Sequence, residues 1–413
     1  MKKYISKLTF AIVVALVASL SIAIPAMAEP EPETAAQAAI TRKIDAPPGT
    51  TIPEATFIFS FEQMARDRET GELTTMTADS PSMVNPPLST SVSFAAGADP
   101  MAQSEDFLAD VNWPHAGDFI FIVSENAEKS ADENTFAANE HMKYSEKKFV
   151  VVVSVRNSDE GLIPTGVFAI LGSPEVLPGE SNPGSKIIPT PGIPGQPGTY
   201  SKLQFEGIFT RDIIGTLSNP ALAITKNVEG EFANLILPFE FEAVLTIPGQ
   251  ALDRGEPFKL DDPAVATILN AAGQTVRTVP IEGTLPNLTI SFSLSHGQRL
   301  VIPRLPAGTS FTVKEIQEPE YEGKLNVVIA GVPIGEPYTV EVGADIEMSS
   351  PRNISDAGRN AAEFTNIHNH SPLTGLVIGS MPVLAIIIGA TVVLSMMVAS
   401  RSRQRIEHMS LVQ

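Results

Sequence analysis

Apolar side chains recur at every second position through most of the interior of the chain. The pattern is clearest in Phe57-Ile58-Phe59-Ser60-Phe61, Phe119-Ile120-Phe121-Ile122-Val123, the run 149–155, Phe239-Glu240-Phe241-Glu242-Ala243, Leu288-Thr289-Ile290-Ser291-Phe292 and Phe311-Thr312-Val313. Successive side chains of an extended strand point to opposite faces, so each run predicts a strand with one buried face. No long stretch holds a helical period. The runs are short and are punctuated by Pro, Gly, Asn and Asp, with 34 prolines and 29 glycines in 413 residues. Short alternating strands joined by turns predict an all-β chain of antiparallel sheets packed as sandwiches.

The chain is too long for one ordinary sandwich, and its landmarks come in two ordered sets. A first strand carries a lysine in both halves (Ala39 to Lys43; Leu222 to Lys226). A Phe-alternating strand follows (from Phe57; from Phe239). Next comes a Gly-led strand ending in glutamate (Gly117 to Glu125; Gly308 to Glu315). A Phe-containing strand closes each half (Leu203-Gln204-Phe205-Glu206-Gly207; Ala362-Glu363-Phe364-Thr365-Asn366). Shared order of this kind marks diverged copies of one plan. The expected domains are 36–212 and 221–369, joined through 210–220. A Pro/Gly-dense insertion at 172–199 reads as a long surface excursion of the first.

The two ends set the compartment. Lys2, Lys3 and Lys7 precede an apolar run that closes on Ala26-Met27-Ala28, the layout of a signal peptide cleaved after residue 28. Residues 376–399 carry no charge and suffice for a transmembrane helix. Arg401, Arg403 and Arg405 follow in the tail 400–413, the cationic flank expected on the cytoplasmic side. Everything between lies outside the cell on this reading, so the expected location is the cell surface. Net charge is −19, and the ends carry clusters of the positive charge. The middle is therefore strongly acidic and excludes nucleic acid as a partner. An exported chain without cysteine has no disulfides and must gain resistance by packing or by another covalent device.

Lys226 on a first strand, Glu315 at the end of an inner strand and Asn366 on a last strand suggest such a device. First and last strands of these sandwiches commonly run side by side. A neutral lysine amine beside an asparagine carboxamide can condense with it, releasing ammonia and leaving an amide. Burial lowers a lysine pKa and raises that of a carboxylic acid, so a nearby glutamate can carry the proton.

Three sets of residues carry a family resemblance: Ile224-Thr225-Lys226-Asn227-Val228-Glu229-Gly230, the stretch from Leu305 to Glu315, and Glu363-Phe364-Thr365-Asn366. With Tyr321 they resemble Gram-positive pilin and Cna-B-type domains over about 221–368. The resemblance implies two tandem Ig-like, Cna-B-like β-sandwiches and an isopeptide bond in the second, with Lys226 as amine, Asn366 as acceptor and Glu315 as assisting acid. The first half resembles a streptococcal pilin-type isopeptide domain, with Lys43 and Glu125 in the matching places. There the acceptor position falls on Gly207, which has no carboxamide; Asn157 is the alternative acceptor.

Ser371-Pro372-Leu373-Thr374-Gly375 stands just before the apolar run and resembles a Leu-Pro-x-Thr-Gly sorting signal with serine in the leading place. That resemblance implies a sortase, and a cell-wall precursor or another pilin, as partners. The membrane is a further partner through 376–399. No phosphate-binding loop, metal-ligating cluster, cofactor motif or nucleophile elbow is present, which argues against an enzyme. His368 and His370 read as solvated. The expected function is a surface-anchored structural protein, a pilin-like subunit or adhesin stalk. The competing reading is an adhesin whose first domain takes a host or matrix ligand, with Trp113 in its loop.

Overall fold

The computed structural model describes residues 34–66, 73–159, 161–172, 186–193, 196, 199–316 and 318–369. The expected signal segment, the sorting-like motif 371–375, His370, the apolar run 376–399 and the tail lie outside the described residues, as does much of the 172–199 insertion. No helix among the described residues is long and apolar enough to cross a membrane. The regular structure of the described chain is nearly all strand, with two short helices, Ala127–Glu133 and Gly249–Asp253. Its contacts divide into two units. Among the described residues, unit 1 takes 34–46 with Ile52–Ala137 and Met142–Phe209; unit 2 takes Pro47–Thr51, Ala138–His141 and those from Thr210 to 369.

In unit 1 one sheet runs Lys186–Ile187, Gly161–Leu171, Lys148–Ser158, Gly117–Glu125, Ala55–Arg66 and Leu73–Thr75, with Ser89–Phe94 also on Ala55–Arg66. The facing sheet holds Met101–Gln103, Thr41–Asp45 and Gln204–Ile214, the last running parallel to Thr41–Asp45. Alternation decides what lies between them. Phe57, Phe59 and Phe61 point inward with Phe121, Val123, Val151, Val153 and Val155. Phe205 from the facing sheet lies 4.8 Å from Phe59 and 5.0 Å from Phe149, ring to ring. Each such buried ring contributes about 1.5–3 kcal/mol relative to exposure, so this contact holds the layers together.

Unit 2 repeats the scheme. One sheet runs Thr275–Pro280, Val265–Leu269, Arg299–Ile302, Leu222–Glu229, Ala361–Ile367 and Glu322–Ile329. The other runs Glu282–Thr284, Asn287–Leu294, Phe239–Thr246 and Ser310–Ile316, with Ile346–Glu347 and Arg352–Asn353 on its edge. Phe364 of the first sheet meets Phe241 of the second edge-on at 5.1 Å. The opening strand Leu222–Glu229 and the closing strand Ala361–Ile367 are parallel neighbours over seven residue pairs. That adjacency puts Lys226 and Asn366 on neighbouring strands.

Candidate functional site

Lys226 sits in the middle of the opening strand, at the position inward-pointing Ile224 and Val228 bracket. Register pairs Lys226 with Phe364 and Val228 with Asn366, so the lysine and the asparagine lie on one face, two steps apart on adjacent strands. Glu315 enters from the opposite sheet, where it pairs with Phe241. All three residues are fully buried. Lys226 Nζ donates to Glu315 Oε1 at 2.6 Å, and Asn366 Nδ2 donates to the same oxygen at 2.5 Å. One carboxylate oxygen therefore holds both nitrogens, with Phe239 capping Nζ at 3.8 Å from its ring centre. Tyr321 meets Phe239 edge-on at 5.2 Å, and its hydroxyl accepts the Asn234 N–H at 2.9 Å.

Burial dominates the electrostatics. It lowers the Lys226 pKa to about 8, against the opposing pull of Glu315. It raises that of Glu315, against the opposing effects of Lys226 and Asn366. Both shifts favour the neutral forms, amine and carboxylic acid, which are the forms an amide-forming reaction requires. Glu315 Oε2 has no hydrogen-bond partner among the described residues. The buried trio expected from the sequence is thus brought together by the fold.

Unit 1 places its residues differently. Lys43 lies on the outward face, partly exposed and paired with Glu206. The inward side chain of that strand is Arg42, whose Nε donates to Glu125 Oε1 at 3.0 Å with both side chains sealed from solvent. Register makes the correspondence one residue earlier than expected. Arg42 pairs with Phe205 and Ile44 with Gly207, as Lys226 pairs with Phe364 and Val228 with Asn366. Glu125 pairs with Phe59 as Glu315 pairs with Phe241. A one-residue slip in a strand exchanges its faces, and the slip here exchanges lysine for arginine. The signal was present: Ile40 and Ile44 bracket position 42, as Ile224 and Val228 bracket 226. Gly207 stands where the register puts Asn366. Asn157 is exposed at the end of Lys148–Ser158, away from this core.

The other sequence candidates are packed. Trp113 is buried and lies 4.9 Å from Phe119, ring to ring, so it anchors its loop to the sandwich. His368 is buried against Tyr321 at 5.0 Å rather than solvated. No group of three or more metal-ligating side chains occurs among the described residues.

Residues 220–367 match the family model described as a domain of unknown function, DUF7601. No curated protein matches the chain. Among solved structures it is similar to the major pilin from Streptococcus pyogenes, at 17% identity and a TM-score of 0.31, covering 82% of this chain and 100% of that one. A second major pilin (T3.2), from Streptococcus pyogenes serotype GAS13637, matches at 16% identity and a TM-score of 0.30, covering 82% and 98%. A pilus-presented adhesin (Cpa, Cys426Ala mutant) matches at 16% identity and a TM-score of 0.23, covering 54% of this chain and 37% of that one.

Proposed function

We propose that unit 2 closes itself with a single covalent bond and that the chain is a surface-anchored structural protein, a pilus subunit or adhesin stalk. The observation that carries the first part is the sealed trio, Lys226 and Asn366 on adjacent parallel strands with Glu315 between them at 2.6 and 2.5 Å. Within it, a proton passes from the Lys226 ammonium to Glu315. The neutral amine nitrogen attacks the Asn366 Cγ while the acid donates to the carboxamide as the tetrahedral centre forms and collapses. The C–N bond to the original amide nitrogen breaks, and that nitrogen leaves as ammonia. A secondary amide joins the two strands, no other reactant is consumed, and Glu315 ends ready to exchange its proton.

Lys226, Asn366 and Glu315 are sealed from solvent, and proximity serves them in place of a substrate cleft. Positioning of this quality is worth on the order of 7–11 kcal/mol of barrier, and the fold supplies it. The reaction also removes a cost. A buried ion pair is weak evidence for stability because desolvation offsets its attraction, and converting the ammonium to an amide takes one charge out of the core.

Surface anchoring rests on the signal-like start, the apolar run 376–399 and the pentapeptide Ser371 to Gly375. A sortase, with a wall precursor or another subunit as acyl acceptor, is the partner this reading proposes. Intact mass of the full chain tests the bond. It should fall short of the sequence mass by one ammonia, and a digest should yield a branched peptide joining the segments around Lys226 and Asn366. An unshifted mass in a folded chain would sink the reading. Thr374→Ala should move the protein from the wall fraction to the membrane fraction; unchanged partitioning would remove the sortase from the account.

A further inference from the structure

We propose that unit 1 is fastened by a non-covalent clasp, Arg42 and Glu125 seated against Gly207, which lets that unit open and reclose under load while unit 2 stays shut. The second half of this contrast rests on the covalent reading of unit 2; the first half does not.

The clasp occupies the place of the reactive trio, as the shared register shows. Its chemistry cannot run the same course. A guanidinium stays charged and delocalised at any pH a protein tolerates, so it offers no nucleophilic nitrogen, and Gly207 offers no carboxamide. The two changes fit each other in space. A Cβ at Gly207 would collide with Nη2 of Arg42 and with the Lys143 carbonyl oxygen, so the longer arginine fills the room that an asparagine side chain would need. Held there, its guanidinium carbon lies 4.4 Å from the centre of the Phe57 ring. Its Nη1 donates to the Lys43 carbonyl. Glu125 is fixed from its other oxygen, which accepts the Ser145 N–H at 2.6 Å. The pair ties the opening strand Thr41–Asp45 to the facing sheet through Gly117–Glu125. It leaves that strand joined to its parallel neighbour Gln204–Ile214 by backbone hydrogen bonds and the partly exposed Lys43–Glu206 pair, with no covalent link between them.

Parallel first and last strands are pulled past each other when a unit is stretched from its ends. A covalent cross-link between them carries the load past the rest of the unit. A charged hydrogen bond yields and can re-form. Unit 1 is on this account the extensible part of the chain.

The test is repeated stretching of single molecules of the full chain in detergent, with handles attached through Thr34→Cys and Asn369→Cys, the only thiols in a chain that has no cysteine of its own. The expected trace shows one event releasing roughly 600 Å, the extended length of unit 1, which recurs after each relaxation. Arg42→Ala should raise its opening rate at fixed force by on the order of a hundredfold, and Lys43→Ala, which removes only a partly exposed pair, by no more than about fivefold. Absence of the event, an event seen only on the first pull, or an Arg42→Ala rate equal to that of the unaltered chain would each overturn the proposal. A further event of unit 2's length would overturn the covalent reading of unit 2 and leave the clasp standing.

Discussion

Replacing Glu315 by Gln separates the two services that a buried carboxyl group can render to Lys226. In the native arrangement Glu315 opposes deprotonation of the amine, by charge and by hydrogen bond, while burial promotes it; the balance leaves Lys226 at about 8. At pH 7 about nine pairs in ten therefore still hold the one proton that amine and carboxylate share. Glutamine is nearly isosteric and can still meet Asn366, but it carries no charge and cannot act as an acid. The amine loses what held its proton, so its pKa falls further and most copies become neutral. Nucleophile supply rises by up to about tenfold. Loss of general acid–base assistance costs about 10²–10⁴-fold, and this effect wins. The net expectation is closure slowed by about 10–10³-fold in a chain whose attacking group is more available than before. The assay is intact mass of freshly synthesised full chain, folded at pH 7 and quenched into acid at intervals, with far-UV circular dichroism to establish folding. A Glu315→Gln chain that loses ammonia at the native rate or faster would refute the reasoning, because burial and proximity alone would then suffice.

Three further outcomes follow from the same geometry. Asn366→Ala removes the acceptor and frees a loop of roughly 140 residues, for a loss of about 5 kcal/mol. With the hydrogen bond of the truncated side chain, the unit 2 transition should drop by roughly 15–30 °C in scanning calorimetry; a fall of only a few degrees would mean that no bond had been lost. Closure should be level with pH from the titration of Glu315, which burial raises, up to about 8, and should decline on either side: below that range the pair gains a second proton and the amine stays charged. The ion pair and the neutral pair hold the same number of protons, so their ratio does not respond to pH. Above about 8 the pair loses its remaining proton and no acid is left, and a rate that climbs from pH 8 to 10 would contradict that role. In unit 1, Glu125→Ala strands the buried Arg42 guanidinium and should cost about 3–5 kcal/mol in urea titration. Lys43→Ala, which removes only a partly exposed pair with Glu206, should cost less than about 1 kcal/mol; equal losses would put the wrong residue in the core.

Strands were legible wherever one face was buried, because burial writes alternation into the sequence. Ala55–Arg66, Gly117–Glu125 and Phe239–Thr246 all lie on the runs that alternate. Gly161–Leu171 left no such trace. Most of its residues are only partly buried, so neither face is purely apolar, and Gly161, Pro164 and Gly166 read as turn residues. Pro164 pairs beside the irregularity between Ser154 and Val155, where a missing N–H is tolerated. In unit 2 the trio was legible because Lys226 interrupts an otherwise apolar inward face. In unit 1 two cations stand side by side, and Lys43 matched the chemistry that unit 2 suggested. The choice belonged to parity. Ile40 and Ile44 share their face with Arg42, and the larger, more weakly hydrated guanidinium is the cation better suited to a core pair.

The chemistry proposed for Lys226, Asn366 and Glu315 needs none of the usual marks of an active site. An enzyme keeps its perturbed groups beside a cleft because substrate must enter and product must leave. A site whose substrate is the protein itself turns over once and has no such need. Burial can then be complete, and complete burial is what brings Lys226 down to about 8 and raises Glu315. Phe239 works in the opposite sense. An aromatic face 3.8 Å from Nζ favours the ammonium, so the amine is held near balance. Pushed further toward neutrality it would lose the proton that Glu315 must receive before attack. The site is therefore poised by opposed contributions, desolvation against a carboxylate and a ring. Its reactivity should change more on substitution of the ring than the modest size of a cation–π contact suggests. Phe239→Leu keeps an apolar wall and removes the quadrupole. The upper limit of the level pH range should then move below 8, and an unmoved limit would assign Phe239 to packing alone.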